Sequence, residues 1–195
     1  MRYADDCNIH VRSERAGQRV MEGITRFITQ KLKLKVNEAK SAVARPQERK
    51  FLGFSFSAGL EVKRVIAPKV LVRFKERIRE ITRRAKGVSI ETTIAELAPY
   101  MRGWRNYFGF CQTPEVLRSL SGWVRRRLRC ALWRQWKTPR RRKAALLALG
   151  VRPRLASSMA GSGRGPWYLA LTHTLHVWLS NAYFKSLGVP SLIEE

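Results

Sequence analysis

The spacing of apolar positions changes character near Ala67-Pro68. Before that point the pattern mixes short alternating runs with one helical stretch. Residues 7–13 read as a strand. Ser13 then suits the cap of a helix over about 14–32, whose apolar positions Ala16, Val20, Ile24, Phe27, Ile28 and Leu32 repeat as one helical face. Residues 31–36 alternate Lys with apolar residues, an extended exit. Residues 37–40 read as a polar turn, 41–44 as a short strand and 45–48 as a turn. Residues 51–56 form a strand that Ala58-Gly59 turns back into a second strand over 60–66. The expectation for 1–67 is a small α+β unit of strand, helix and hairpins.

From Pro68 onward the period is helical. Pro suits the first turn of a helix over 69–86, with Val72, Ile78 and Ile81 apolar and Gly87 as the stop. Ser89 caps the next helix, which carries Ile94, Leu97, Ala98, Met101 and Trp104 to about residue 108, and Pro99 within it predicts a kink or a break. Thr113-Pro114-Glu115 starts a long helix reaching about Trp136, and Thr138-Pro139 starts another that ends at Gly150. Residues 151–166, rich in Gly, Ser, Arg and Pro, read as a loop. Residues 167–187 are again helical, in pieces, closed by Gly188 and Pro190. The expectation for 68–195 is an all-α domain.

Charge sharpens this picture. The 195 residues carry 39 Lys and Arg against 14 Asp and Glu, a formal net charge of +25. Residues 1–60 hold 12 Lys and Arg against 6 acids, whereas residues 61–195 hold 27 against 8. Such an excess points to a polyanion, nucleic acid before an anionic membrane surface. Three cysteines without paired spacing, Cys7, Cys111 and Cys130, read as reduced core residues and not as a disulfide frame. No signal-peptide pattern and no apolar run near the ~18 residues of a membrane span is visible, so a cytoplasmic location of bacterial type and no membrane partner are expected.

On the helix expected over 113–136, Leu117, Leu120, Val124, Leu128, Ala131 and Leu132 fall in one arc, the face for the core. Arg118, Arg125 and Arg129 form an adjacent stripe, and Arg126, Arg127 and Arg134 lie further round. With Lys137, Arg140, Arg141, Arg142 and Lys143 they make eleven cations from 118 to 143 with no acid among them. A helix that is only solvated usually interleaves both signs. Trp123, Trp133 and Trp136 project among the cations; they either stack on unpaired bases or pack against a neighbouring helix. The run from Gly161 to Gly165, with Arg164, either approaches a phosphate backbone or simply connects. His173 and His176 have no partners for a zinc site. At the N-terminus, Tyr3-Ala4-Asp5-Asp6 is either a capped turn or a turn whose carboxylates suit a hard cation such as Mg²⁺.

Taken in order, these stretches resemble the C-terminal part of a group II intron-encoded reverse transcriptase/maturase. Tyr3-Ala4-Asp5-Asp6 is similar to the reverse-transcriptase Tyr-x-Asp-Asp turn, 34–41 to the next palm motif, and Phe51-Leu52-Gly53-Phe54 to the primer-grip hairpin. Trp104-Arg105-Asn106-Tyr107-Phe108, the segment 123–129 and Trp167-Tyr168 are similar to the helical thumb, or maturase-specific region. The resemblance implies a partial palm over 1–67 and a thumb/maturase domain over 68–195. It implies Asp5 and Asp6 as catalytic and metal ligands for Mg²⁺, joined in a complete palm by a third carboxylate from upstream. It places Tyr3 and Lys40 near the nucleotide, and Phe51, Leu52, Gly53 and Phe54 at the primer terminus. It implies that the helical part, with Arg118, Trp123, Arg125, Arg126, Arg127, Arg129, Arg134, Trp136, Lys137, Arg140, Arg141, Arg142, Lys143 and Arg164, binds group II intron RNA for splicing and holds template-primer. The fingers and the third carboxylate are not in this sequence. DNA synthesis is therefore expected only with a complementing N-terminal half, and the alternative is a non-catalytic basic RNA-binding relic without intron specificity.

Overall fold

The computed structural model describes residues 2–3, 6–58, 61–83 and 87–193, with side chains from Cys7 onward. The chain divides into two compact units, Met1–Ala67 and Pro68–Glu195. The first is α+β and the second is all-α.

In the first unit, β1 (Arg2–Tyr3) pairs antiparallel with β2 (Asp6–Cys7), setting Tyr3 opposite Asp6. Helix α1 (Glu14–Gln30) starts where Ser13 Oγ accepts the amide of Ala16 at 3.3 Å. Its apolar stripe is half-buried, with Phe27 exposed; the buried residue of α1 is Gly17. A Cβ at Gly17 would stand 2.7 Å from Val43 Cγ1, so the 41–44 segment passes α1 at a distance only glycine permits. That segment is not the expected strand, because it has no ladder partner among the described residues. The expected strand over 7–13 likewise stops at Cys7. A 3₁₀ turn (Pro46–Glu48) leads into β3 (Phe54–Phe56), which pairs antiparallel with β4 (Arg64–Ile66), Ser55 opposite Val65.

The strand expected over 51–56 begins only at Phe54. Leu52 has φ +50° and Gly53 φ +80°, and Phe51 and Phe54 exchange backbone hydrogen bonds of 2.8 and 2.9 Å. Two successive left-handed residues between such a pair mark a type I′ hairpin turn. The sequence Phe-Leu-Gly-Phe is thus a tight turn in its own right.

The second unit runs through α2 (Pro68–Ile81), α3 (Ile90–Phe108), α4 (Pro114–Gln135), α5 (Pro139–Ala148), α6 (Pro153–Ala160), α7 (Pro166–Leu169), α8 (His173–Trp178) and α9 (Asn181–Ser186). Five of these begin on a proline, whose fixed φ suits the first helical position. Ser89, Thr138 and Ser180 cap α3, α5 and α9 through their hydroxyls. Pro99 neither ends nor divides α3. It and Ala95, whose carbonyl it leaves without a donor, both lie on the exposed face, where water can replace the bond.

The helical unit departs from its apolar pattern in one place and from an expected loop in another. Val72 of α2 is 52% exposed, while Phe74 is fully buried with its ring 4.5 Å from Trp104 and 5.8 Å from Tyr100. Residues 153–160, expected as loop, are helix α6, which packs on α5 and buries Ala156, Met159 and Ala160. Small residues there permit a close helix–helix approach, and their Ser- and Pro-rich setting hid the period. Cys111 and Cys130 are buried free thiols, but Cys7 is exposed and not in a core. The remaining core joins Leu117, Leu120, Val124, Leu128 and Leu132 of α4 to Leu175, Leu179, Phe184 and Leu192 near the C-terminus.

Phe74→Ala is expected to lower stability by about 3–5 kcal/mol through loss of burial and a cavity among the rings. Val72→Ala should change it by no more than about 0.5 kcal/mol. Urea unfolding followed by circular dichroism separates the two.

Candidate nucleic-acid interface

Helix α4 has one face in the core and its remaining surface dense with arginine. The arginines divide into those the fold has already engaged and those left open. Arg126 donates from Nε and Nη2 to the carbonyl of Trp167, at 3.2 and 2.9 Å, and lies 3.8 Å over the Trp167 ring. Arg127 donates to Thr82 Oγ1 at 3.0 and 2.8 Å, and that hydroxyl donates in turn to the carbonyl of Ile78. Arg129 is buried, 3% exposed, and its Nε donates to the carbonyl of Leu179 at 3.0 Å. These side chains tie α7, the end of α2 and the end of α8 to α4.

Carbonyls, hydroxyls and aromatic faces satisfy geometry without cancelling charge. Among the described residues of α4 the only carboxylate ion pair is Arg118 with Glu115. Burial accordingly holds Arg125 and Arg127 below the usual guanidinium range, and it pushes Arg129 down to about 10, with the neighbouring Arg125 charge adding to the effect.

The expected RNA contacts therefore separate. Lys137, Arg140, Arg141 and Lys143 are exposed at the α4–α5 corner, where Lys137 takes φ +44° and Thr138 caps α5. Arg164 is exposed and lies 4.6 Å over the Tyr168 ring. Arg125, Arg134 and Arg142 are half-buried, and Arg142 sits 5.1 Å over Trp133. Arg118 is exposed but paired. Arg129 is corrected from a surface contact to an interior tie, because its position on the wheel borders the core arc and α8 closes over it.

The tryptophans divide in the same manner. Trp133 is 1% exposed and packs, so it offers no face to a base. Trp136 is half-buried, edge-on to Trp133 at 5.8 Å. Trp123 is half-buried, with Lys75, Arg79 and Arg127 at 6.0, 5.5 and 5.9 Å from its ring centre. The aromatics that do reach solvent beside cations are Trp167 and Tyr168, 36% and 51% exposed. Their signal in the sequence was Arg164, four residues before Tyr168 and just ahead of α7, near enough for its guanidinium to reach the ring. The cations Lys75 and Arg79 were also missed, since on a wheel they look like ordinary solvated residues.

In the first unit, Asp5 lies outside the described residues. Tyr3 and Asp6 are described by their backbone pairing alone. Lys40 is exposed, and its amide is held by Asn37 Oδ1 at 3.2 Å. Phe51, Leu52, Gly53 and Phe54 are the type I′ turn, with Leu52 exposed at its tip. Among the described residues no group of three or more His, Cys, Asp or Glu is arranged to hold a metal, and no helix is long and apolar enough to cross a membrane.

The stretch from α2 to α5, cationic outside and apolar inside, has a counterpart among known families. Residues 71–147 match the group II intron maturase-specific domain. No curated protein matches the chain. The matched stretch contains Trp123, all the α4 arginines and the exposed corner at Lys137, Arg140, Arg141 and Lys143. Arg164, Trp167 and Tyr168 lie just beyond it in sequence and are joined to it through Arg126.

Arg127→Ala and Arg129→Ala should each lower stability by about 1–3 kcal/mol, because a buried hydroxyl or carbonyl loses its charged donor. Arg140→Ala and Arg141→Ala should stay within about 0.5 kcal/mol of the parent. Thermal unfolding of the four variants at one ionic strength checks the division.

Proposed function

We propose that the chain is a maturase that binds group II intron RNA through the exposed cations of the α4–α5 corner and promotes splicing of the intron. The observation that carries this reading is the coincidence of the maturase-specific match with eleven cations over 118–143 and no acid among them. Lys137, Arg140, Arg141 and Lys143 would neutralise backbone phosphates, while Trp167 and Tyr168, each already bearing a guanidinium, offer stacking faces for unpaired bases. Stabilising a folded RNA needs contacts to phosphates brought close together, where strand repulsion is greatest. A rigid helix corner with several unpaired cations suits that task.

The alternating pairing of Tyr3 with Asp6 and the tight turn at Leu52-Gly53 favour a second reading for the first unit, the end of a reverse-transcriptase palm. On that reading Asp5 and Asp6 contribute carboxylates for Mg²⁺ once a complementing palm segment is present. Asp5→Ala would then abolish primer extension on an RNA template by the reconstituted pair. Extension that survives this substitution removes the palm reading.

The test of the leading proposal is binding of a group II intron transcript and of an unrelated RNA of equal length across a range of salt. The intron is expected to bind more tightly, with affinity falling linearly on a log–log plot. The triple variant Arg140→Ala/Arg141→Ala/Lys143→Ala should reduce that slope by about 2, at roughly 0.7–0.9 per lost phosphate contact. It should also slow protein-dependent excision of the intron. Equal affinity for both RNAs would leave only the relic reading, and an unchanged slope would remove the α4–α5 corner from the interface.

A further inference from the structure

Helices α4, α8 and α9 border a cleft of about 450 Å³ that the α4–α5 corner does not include. Arg125 and Arg129, one turn apart on α4, line it together with His176 of α8 and Ser180 and Asn181 at the start of α9. Arg129 is nine-tenths buried or more, and its hydrogen bond to the Leu179 carbonyl uses Nε alone. Among the described residues no other hydrogen bond engages this guanidinium, and no carboxylate pairs with it or with Arg125. The Phe184 ring, 5.9 Å away, covers one side of it.

This is an expensive arrangement to leave uncompensated. Two like charges at i,i+4 repel, and burial of one removes the water that would screen it. Imidazole protonation at His176 is also disfavoured, by burial first and then by Arg129, Arg125 and His173. An anion entering the cleft would offset the repulsion among these groups and supply the counter-charge that burial leaves them without. Its shape narrows the choice of anion. Donors come from three helices: two guanidiniums on one side and an imidazole, a hydroxyl and an amide on the other. A planar carboxylate offers two oxygens in one plane, whereas a tetrahedral phosphate directs oxygens to several walls at once.

We propose that this cleft is a phosphate-binding site, with Arg125 and Arg129 as its charged donors and His176 as a further one. The phosphate is a backbone phosphodiester of bound RNA or a free phosphate, and only the first source rests on the RNA-binding function proposed above. Arg129 has a double task here. Its Nε fixes the loop after α8, and on this proposal its remaining donors serve the cleft it lines, so the loop and the anion site are positioned by one side chain.

The test follows the His176 imidazole by NMR, assigned with His176→Gln, as the full chain is titrated at constant ionic strength. One arm uses inorganic phosphate and the other a group II intron transcript. Movement of His176 and a rise in its pKa on addition of either probe supports the site, and the probe that causes it names the source. Arg125→Gln, which removes a side chain with no hydrogen bond among the described residues, should weaken the responding probe's effect on His176 about tenfold or more. Arg125→Lys should restore part of it. If neither probe moves His176, or if Arg125→Gln responds like the parent, the site is overturned. Tight RNA binding with a silent His176 overturns the site while leaving the RNA-binding function standing. A response to phosphate in a chain that fails to bind RNA supports the site and sinks that function.

Discussion

Helix α4 must serve as the spine of the helical unit and carry the densest positive charge in the chain, with almost no acid to neutralise it. Everything around it answers that constraint. An arginine whose stem lies along the core cannot leave its head unsatisfied, yet a carboxylate partner would cancel the charge. The fold uses uncharged acceptors instead: the Trp167 carbonyl for Arg126, the Thr82 hydroxyl for Arg127 and the Leu179 carbonyl for Arg129. Aromatic rings lie beside the same guanidiniums at Trp123 and Trp167, and Trp133 takes that of Arg142. The carbonyl and hydroxyl contacts also join α4 to segments 41–50 residues away in sequence, so the same side chains hold the tertiary fold together and preserve its field.

That arrangement separates two classes of cation which look alike on a helical wheel. Those engaged by carbonyls and rings position the helices. Those at Lys137, Arg140, Arg141 and Lys143 stand free at a corner where one helix ends and the next begins. The corner depends on Lys137 taking a left-handed conformation and on Thr138 capping α5. Its cations are therefore carried by a rigid turn and not by a loop, which reduces the entropy lost when they close on phosphates. Between these classes sit Arg125 and Arg129, where burial and mutual repulsion remain without a counter-charge.

Helix positions were largely legible because their signals are local. Ser89 and Thr138 as caps, and Pro114 and Pro139 at first positions, act within a few residues and place α3, α4 and α5 closely. Strands were less legible, since a strand exists only where a partner supplies a ladder. Residues 41–44 have none among the described residues, and the apparent strand from Phe51 is a type I′ turn. Within helices, alternation between Val72 and Phe74 as the core residue could not be read from apolarity, because both are apolar. The rings of Tyr100 and Trp104 decide it.

By itself the sequence determined the α+β to all-α order, the starts of α2 to α5, the core arc of α4 and the surplus of positive charge, because period, capping chemistry and charge are properties of neighbouring residues. Only the tertiary structure decided which of those charges are free. Arg129 and Arg140 are the same residue type in the same basic run. One is 3% exposed beneath the loop after α8 and the other is open to solvent, because a segment some 50 residues later folds over the first and not the second. No local pattern carries that information, since it is set by which helices pack together.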